Sequence, residues 1–309
     1  MSGKMIDGLL PSGHDVPFAE IEAAFARFAH EGRRHRRGPA RALVATVIVV
    51  GPPERLIPAA DALEQLGDAG VRAILISEGT QAEPLARVTE GAVAVSGLSP
   101  NYLNNAVAAL RLSSLPSAVW WRGGSTGAFA DLANLADRLI MDIDRPDELW
   151  GAAVRLFDRT ALTDLRWAML TRWRSALAHL FDLPNVRRGA AALRTIAIDA
   201  GDEPSARLYA GWLKSSLSWP PGAKLDIRMT AGRGAPLECV LLDCGGVAVT
   251  LKMREGRGCF EATSSAGVSE RVVPTGDASL STLIGEELAV RTRDLAFERA
   301  LVAAREIRA

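Results

Sequence analysis

Cysteine and histidine are scarce in this sequence of 309 residues, which has three of the first and four of the second. The odd number of cysteines, all late in the chain at Cys239, Cys244 and Cys259, excludes a disulfide scaffold and favours a reducing cytosol. There is no C-x-x-C and no H-E-x-x-H motif, so we expect no bound metal. Cys239 and Cys259 are most simply small apolar strand residues.

The usual signatures of catalysis and of cofactor binding are also absent. Three of the four histidines lie within the first 35 residues, and there is no G-x-S-x-G motif. The first predicted strand ends in Val50-Gly51-Pro52-Pro53 rather than in G-x-G-x-x-G, and proline has no backbone N–H to offer a pyrophosphate. We therefore expect neither a catalytic set nor a nucleotide cofactor.

The chain carries no net charge, because 36 acidic residues balance 36 basic ones. Proteins that bind nucleic acid usually have a basic excess, so we expect no nucleic-acid partner. The run Arg33–Arg37 with Arg41 could bind RNA or phosphate. It follows a predicted helix at 17–30, and basic residues are equally typical of the solvated end of a helix. A steep salt dependence would distinguish nucleic-acid binding.

Long apolar runs are absent. The longest, Ala42–Val50, has nine residues, whereas about 20 are needed to span a membrane, so we expect no membrane association. The first 20 residues show no basic region followed by an apolar core, which predicts no secretory signal. Since 48% of the residues are hydrophobic and 23% are charged, we expect a globular cytoplasmic protein of two domains.

The first half of the chain alternates apolar runs with amphipathic segments. Continuous apolar strands between helices are typical of a parallel sheet covered on both faces. The predicted strands are 42–50, 71–77, 92–98, 118–122 and 138–143. The predicted helices are 56–66, 102–112, 126–135, 146–160 and 163–181. Residues 1–185 are thus predicted to form a Rossmann-like α/β domain that begins with the helix at 17–30.

The second half has a different pattern. A strand at 193–199 and a helix at 204–217 precede five strands with tight turns between them. These strands are predicted at 224–230, 237–242, 247–253, 259–263 and 268–273. Two helices, 279–290 and 292–308, close the chain. Residues 190–309 are thus predicted to form an α+β domain with an antiparallel sheet, and 182–192 is the predicted junction.

Two adjacent tryptophans stand in the fourth predicted strand. Trp120 and Trp121 must point to opposite faces, so both faces should be covered. Arg122 follows at the carboxyl end, where open α/β sheets bind ligands, and Gly123–Gly127 leads into a helix. A sugar-phosphate site of a sensor or enzyme at Arg122–Gly127 is therefore one hypothesis. A flexible turn with a hydroxyl cap explains the same residues.

Three segments occur in a distinctive order. They are LPSAVWWRGG from Leu115 to Gly124, LADRLIMD from Leu135 to Asp142, and DLRWAMLTRWR from Asp164 to Arg174. Together they resemble the glucose-6-phosphate dehydrogenase assembly proteins, the OpcA family. Tyr209-Ala210-Gly211-Trp212-Leu213 is similar to the start of that family's C-terminal domain. The family's Arg-His-Pro-Ser-Arg-like element is not found, and Gly67–Arg72 stands in its place.

The resemblance implies a non-enzymatic protein that binds glucose-6-phosphate dehydrogenase and promotes its active oligomer, and so raises flux into the oxidative pentose phosphate pathway. It implies no catalytic residue and no cofactor. The candidates for contact with the enzyme, taken from the three motifs, are Trp121, Arg122, Gly123, Asp137, Arg138, Arg172, Trp173 and Arg174.

Structural roles are open for the same residues. Asp137 and Arg138 could pair with each other to anchor the fifth strand, and each tryptophan could simply bury core area. Arg172 and Arg174 are two apart on a predicted helix, so they must point to different sides. One of them could hold the junction between the domains. Truncation separates the two roles, because an interface residue leaves the melting temperature nearly unchanged and a core residue lowers it.

Overall fold

The computed structural model describes most of the chain and divides it into two compact units. The described residues are 9–27, 44–66, 70–79, 84–89, 91–112, 114–217, 219–230, 235–254, 258–265, 269–290 and 292–308. Unit 1 comprises Met1–Asp164 and Ser279–Arg293, and unit 2 comprises Leu165–Ala278 and Asp294–Ala309. The chain thus enters unit 2 before the expected junction at 182–192, and it returns once to unit 1.

Unit 1 contains, in its described part, an eight-stranded and mostly parallel sheet, which confirms the predicted α/β class. Its strands are β1 (His14–Val16), β2 (Ala45–Val50), β3 (Val71–Glu78), β4 (Leu85–Val88), β5 (Ala92–Leu98), β6 (Ser117–Trp121), β7 (Arg138–Met141) and β8 (Ala161–Asp164). Their spatial order is β1-β4-β5-β3-β2-β6-β7-β8. The six strands from β5 to β8 in this order are parallel, whereas β4 runs antiparallel to β5 and β1 to β4.

The prediction of one continuous helix at 163–181 is wrong at its start. Ala161–Asp164 is a buried strand that pairs in parallel with β7. Four residues are too few to show the alternation or length by which a strand is recognised in sequence. β1 and β4, which have three and four residues, were not predicted either.

Unit 2 contains a six-stranded mixed sheet among its described residues. Its strands are β9 (Thr195–Ala200), β10 (Lys224–Met229), β11 (Cys239–Asp243), β12 (Ala248–Arg254), β13 (Cys259–Ser264) and β14 (Ser269–Pro274). The order is β10-β9-β11-β12-β13-β14, and every pair is antiparallel except β9 with β10. The predicted antiparallel sheet is thus found for four of the five strand pairs, and β9 with β10 is the parallel exception. A helix lies between β9 and β10 in the chain, and such a crossover is what joins parallel neighbours.

Helices accompany both sheets. Those with fully described bounds are α1 (Pro53–Gln65), α2 (Leu103–Leu110), α3 (Thr126–Leu132), α4 (Asp147–Val154), α5 (Leu165–Met169), α6 (Thr171–Phe181), α7 (Pro184–Gly189), α8 (Glu203–Ser216), α9 (Leu280–Ala289) and α10 (Leu295–Ala304). None of the helices among the described residues has both the length and the apolar character needed to cross a bilayer.

The predicted N-terminal helix is described only in part. A 3-10 turn at Phe18–Glu20 continues into helical residues 21–27. The end of the predicted helix, 28–30, lies outside the described residues. The basic run Arg33–Arg37 and Arg41 lie outside them as well.

The core of unit 2 is built around aromatic rings. The Trp173 ring stacks on the Phe260 ring with their centroids 4.4 Å apart. The Tyr209 hydroxyl donates to the Trp173 carbonyl at 3.3 Å. Two residues further along α8, a Cβ on Gly211 would lie 2.3 Å from the carbonyl oxygen of Ala300 in α10. Glycine is therefore required where these two helices touch, which gives the Tyr209–Leu213 motif a packing role.

A buried ion pair holds the returning segment in unit 1. Arg138 in β7 pairs with Glu287 in α9, and each side chain is only 8% exposed. Arg138 Nη1 also donates to the Thr292 carbonyl at 3.4 Å. Asp137 does not pair with Arg138, because it accepts hydrogen bonds from Ser117 through the backbone N–H at 2.7 Å and the hydroxyl at 3.1 Å. The two motif residues thus anchor β7 through different partners.

We predict that Arg138→Met lowers the free energy of unfolding by about 3–5 kcal/mol, because the Glu287 carboxylate stays buried and loses its guanidinium partner. Replacing both residues with methionine should restore most of that loss. Lys214→Met is the matched control, since the Lys214–Glu306 pair at 2.8 Å is exposed and solvent screens it, so its loss should change stability little. Urea denaturation measures all three variants. Equal losses for Arg138→Met and Lys214→Met would contradict the assignment.

Candidate functional site

The carboxyl edge of the parallel sheet is where a ligand is expected. Strand connections reverse direction between β2 and β6, and open α/β sheets bind ligands in the crevice at such a point. Here the segments that leave the two strands pack directly together. A Cβ on Gly51 would lie 3.0 Å from the Arg122 Cβ, and one on Gly123 would lie 2.7 Å from the Pro52 Cδ. Backbone and side chain therefore fill the crevice.

Arg122 lies inside this filled crevice and is 7% exposed. Its Nε lies 2.9 Å from the Asp142 carboxylate, and its Nη1 donates to the Arg55 carbonyl at 2.8 Å. Its guanidinium also lies over the Trp120 ring, 4.9 Å from the centroid. The Trp120 Nε1–H donates to the same Asp142 carboxylate at 3.1 Å. Burial lowers the pKa of Arg122 and the Asp142 charge opposes that shift, so the contacts hold a charged group in place.

Arg55 in α1 completes what we call the Arg122 cluster, made of Arg55, Trp120, Arg122, Asp142 and Asp144. Arg55 Nη1 donates to the carbonyls of Arg122 at 3.2 Å and of Asp142 at 3.3 Å. Arg55 Nη2 also pairs with the Asp144 carboxylate. The cluster therefore connects the ends of β6 and β7 to α1, and its charged groups interact with one another inside the protein.

Trp121 packs on the opposite face, as the predicted alternation requires. It is buried, with its ring edge-on to Phe129 at 5.5 Å between centroids. A Cβ on Gly124 would lie 2.8 Å from the Trp121 ring and 2.9 Å from Glu78 Oε1. The glycines after β6 thus permit close packing of the loop on Trp121.

A cavity of about 430 Å³ opens beside this loop. Its lining is Trp121, Gly123, Gly124, Thr126, Ile143, Arg145, Asp147, Glu148 and Leu149. The lining contains two carboxylates, of Asp147 and Glu148, and one guanidinium, of Arg145. Arg122 is not in the lining, so the hypothesis that it meets an anion there is not supported by its position. The charge balance disfavours a phosphate in this cavity.

Glu78 at the end of β3 is the titratable group next to this loop. Burial raises the pKa of its carboxyl above the ordinary value of 4.5, and a hydrogen bond from the Ser125 backbone N–H opposes the shift. Ser125 also caps α3, where its hydroxyl accepts from the Ala128 N–H at 3.2 Å. Glu78 and Ser125 together link β3 to the start of α3.

The second group of predicted residues lies in unit 2. The Arg174 guanidinium lies 3.3 Å from the centroid of the Trp167 ring and donates to the Trp167 carbonyl at 3.0 Å. The Trp167 Nε1–H donates to Asp294 at 2.7 Å. Trp173 is buried on Phe260, whereas Arg172 is exposed. Arg172 and Arg174 thus face different surroundings, as their spacing predicts.

Within unit 1 the predicted residues lie at two different ends of the paired strands β6 and β7, with Trp121, Arg122 and Gly123 at the carboxyl end and Asp137 and Arg138 at the amino end. Arg172, Trp173 and Arg174 belong to unit 2. Trp121, Arg122, Arg138 and Trp173 are buried, whereas Asp137 and Arg172 are exposed. The residues that these side chains contact were not predicted from the sequence. For Asp142 a signal was present, since an acid directly after a strand beside Arg122 indicates an ion pair. No cluster of His, Cys, Asp and Glu among the described residues could hold a metal ion.

Comparison with known proteins gives a consistent family. Residues 160–301 match a family described as the C-terminal domain of a glucose-6-phosphate dehydrogenase subunit. An OxPP cycle protein OpcA of Synechococcus elongatus is 23% identical over 332 residues, covering 92% of this chain and 74% of that protein. The protein of the same name from Synechocystis sp. is 30% identical over 128 residues, covering 38% of this chain and only 27% of that protein.

One solved structure overlaps loosely with most of the chain. It is the aldose-aldose oxidoreductase of Caulobacter crescentus complexed with glycerol, with a TM-score of 0.46 and 12% identity, covering 86% of this chain and 95% of that one. An overlap of this quality carries no inference about chemistry.

We predict that Glu78→Gln stabilises the protein near neutral pH and has little effect near pH 4. Because the pKa of Glu78 is raised on folding, its contribution to stability is fully present below the unfolded pKa and is lost as the pH rises through the folded pKa. Glutamine retains an acceptor for the Ser125 N–H and carries no charge. Since Glu78 is partly exposed, the gain should stay below about 1 kcal/mol.

Melting temperatures of both proteins at the two pH values test this expectation. A gain of the same size at both values, or a loss near neutral pH, would show that the Glu78 carboxylate is not held against its ionisation.

The sequence matches, rather than the geometry, show what this chain is similar to: residues 160–301 match the C-terminal domain of a glucose-6-phosphate dehydrogenase subunit, and two relatives named OxPP cycle protein OpcA match over 92% and 38% of the chain.

Proposed function

We propose that this chain is a non-enzymatic cytoplasmic protein that binds glucose-6-phosphate dehydrogenase and favours its active oligomer in the oxidative pentose phosphate pathway. The observation that carries the proposal is the match of residues 160–301 to the family C-terminal domain, whose description names a glucose-6-phosphate dehydrogenase subunit. The relatives named OxPP cycle protein OpcA support the same pathway.

The filled crevice supports a role outside catalysis. In unit 1, Pro52 and Arg122 occupy the switch point where sheets of this order bind ligands. The charges nearest to it, on Arg55, Arg122 and Asp142, interact with one another. A charged side chain that is already paired within the protein is poorly placed to bind a substrate. The adjoining cavity has a net acidic lining, which disfavours the alternative of a sugar-phosphate sensor or enzyme at Arg122–Gly127.

The mechanism we propose is linkage between binding and oligomer state. A protein that binds one state of an enzyme more tightly shifts the equilibrium toward that state by the difference in binding free energy. The enzyme must respond in the reciprocal way, so that its active oligomer binds this chain more tightly than its inactive form does. A coupling of about 1–3 kcal/mol corresponds to roughly 5–150-fold. No bond is made or broken on this chain.

Arg172 is the residue we propose for direct contact with the enzyme. It is exposed on α6, in the third motif, and a planar guanidinium suits an interface carboxylate. Its neighbours in the motif hold it in place, because Trp173 stacks on Phe260 and Arg174 on Trp167. The other residues of this motif therefore hold α6 in position, and Arg172 is exposed to a partner. We assign Asp137 to the pairing of strands β6 and β7 and Gly123 to the packing of the loop after β6, rather than to contact with the enzyme.

We expect equimolar chain to raise the catalytic efficiency of the cognate dehydrogenase. Purified enzyme is assayed for kcat and KM with and without the chain, at micromolar concentration of both. The chain alone, supplied with glucose 6-phosphate and oxidised nicotinamide cofactor, should show no turnover. Unchanged kinetics together with no binding would overturn the proposal.

Two variants separate the contact residue from the core residue. Arg172→Ala should weaken binding to the dehydrogenase by about tenfold, since one charge-assisted contact is lost, and leave the melting temperature unchanged. Trp173→Ala should lower the free energy of unfolding by about 3–5 kcal/mol, because it removes a buried ring from the Phe260 stack. Arg305→Ala, an exposed arginine outside the motif, is the matched control for binding. If Arg172→Ala and Arg305→Ala bind alike, Arg172 is not a contact.

A further inference from the structure

A second and larger opening lies at the other end of the parallel strands of unit 1, away from the filled crevice. Its volume is about 650 Å³, which lies in the usual range of pockets for small molecules. It lies where β7 and β8 begin, so it is at the amino end of the parallel strands. The start of the second motif forms one wall through Leu135, Ala136 and Asp137.

Three arginines from different segments line this opening, which we call the Arg159 groove. Arg111 follows α2, Arg159 precedes β8, and Arg293 lies at the end of the returning segment. Arg159 and Arg293 are exposed. An exposed guanidinium keeps most of its hydration, so it can exchange water for an anion at small desolvation cost.

The acidic residues of the groove are already engaged. The Asp137 carboxylate accepts from the Ser117 backbone N–H at 2.7 Å and from its hydroxyl at 3.1 Å. Asp158 lies 3.5 Å from Arg293 Nη1, and its side chain is 98% exposed, so solvent screens this pair strongly. Three guanidinium groups against two carboxylates leave the lining with one excess positive charge. The cavity at the carboxyl edge has one excess negative charge instead.

Apolar and backbone groups shape the rest of the groove. Phe157, Ala133 and Ala161 supply apolar wall. The Thr160 hydroxyl donates to the Ala136 carbonyl at 2.8 Å, and Arg111 donates to the Leu135 carbonyl. These bonds fix the loop before β7 and orient Arg111. A preformed wall with convergent cations is suited to a small anion with an attached polar body.

We infer that the Arg159 groove binds a small organic anion, a phosphate monoester or carboxylate of sugar size, through Arg159 and Arg293 at the amino edge of the unit 1 sheet. The two exposed guanidinium forks grip the anionic group, and Arg111, held by the Leu135 carbonyl, adds a fixed positive charge. The site is separate from the filled crevice and does not rest on the proposed partner, since the chain alone forms it.

Calorimetry on the full chain tests this inference with two probes, inorganic phosphate and glucose 6-phosphate, and with glucose as the uncharged control. We expect both anions to bind and glucose not to bind. Arg159→Gln and Arg293→Gln should each weaken binding of the anions by about tenfold, because each removes one charge-assisted contact. Tighter binding of glucose 6-phosphate than of phosphate would show that the apolar wall receives the sugar.

Arg145→Gln is the matched control, because it removes an arginine from the carboxyl-edge cavity and leaves the groove intact. Binding that survives Arg145→Gln and is weakened by Arg159→Gln supports the groove. Binding that is lost in Arg145→Gln and unchanged in Arg159→Gln overturns the inference in favour of the other cavity. No binding of either anion at millimolar concentration also overturns it. Melting temperatures without ligand check that all variants fold, and none of these outcomes depends on the dehydrogenase.

Discussion

The Arg122 guanidinium lies between the Asp142 carboxylate and the Trp120 ring, at the place where a sheet of this strand order ordinarily leaves an open crevice. Much of unit 1 depends on that placement. Arg55 reaches the same strand ends from α1, and Pro52 closes the gap from β2. At the switch point, where sheets of this kind usually bind a ligand, side chains of the protein itself fill the space.

Unit 2 uses arginine and tryptophan in a related way. Arg174 covers the Trp167 ring, and the indole N–H of Trp167 reaches Asp294, which also caps α10 through the N–H groups of Ala296 and Phe297. A stacked guanidinium retains its charge while it shields an apolar ring. Trp167 and Arg174 of this motif therefore connect the cap of α10 to the aromatic packing. These contacts hold α6, the helix that carries the exposed Arg172.

Most strands could be predicted because the parallel sheet is buried on both faces, so β2, β3 and β5 appear as continuous apolar runs. Short strands could not be predicted, and the end of β8 was assigned to a predicted helix for that reason. The direction of β10 was missed because periodicity reports burial and not strand direction. The alternation of Trp120 and Trp121 was predictable from one residue spacing. The partners of Arg122 and Arg138 were not, because Arg55 and Glu287 lie 67 and 149 residues away in sequence.

We propose that contact with this chain changes the conformational balance of the dehydrogenase. The most direct measurement is the sedimentation of the cognate dehydrogenase at fixed concentration, with increasing amounts of this chain. We expect the sedimentation coefficient of the enzyme to shift toward that of its active oligomer as the chain is added. Less of the chain should be needed for half of that shift when the enzyme already favours the active oligomer. An oligomer distribution that stays constant at saturating chain, while the two proteins sediment separately, would contradict it.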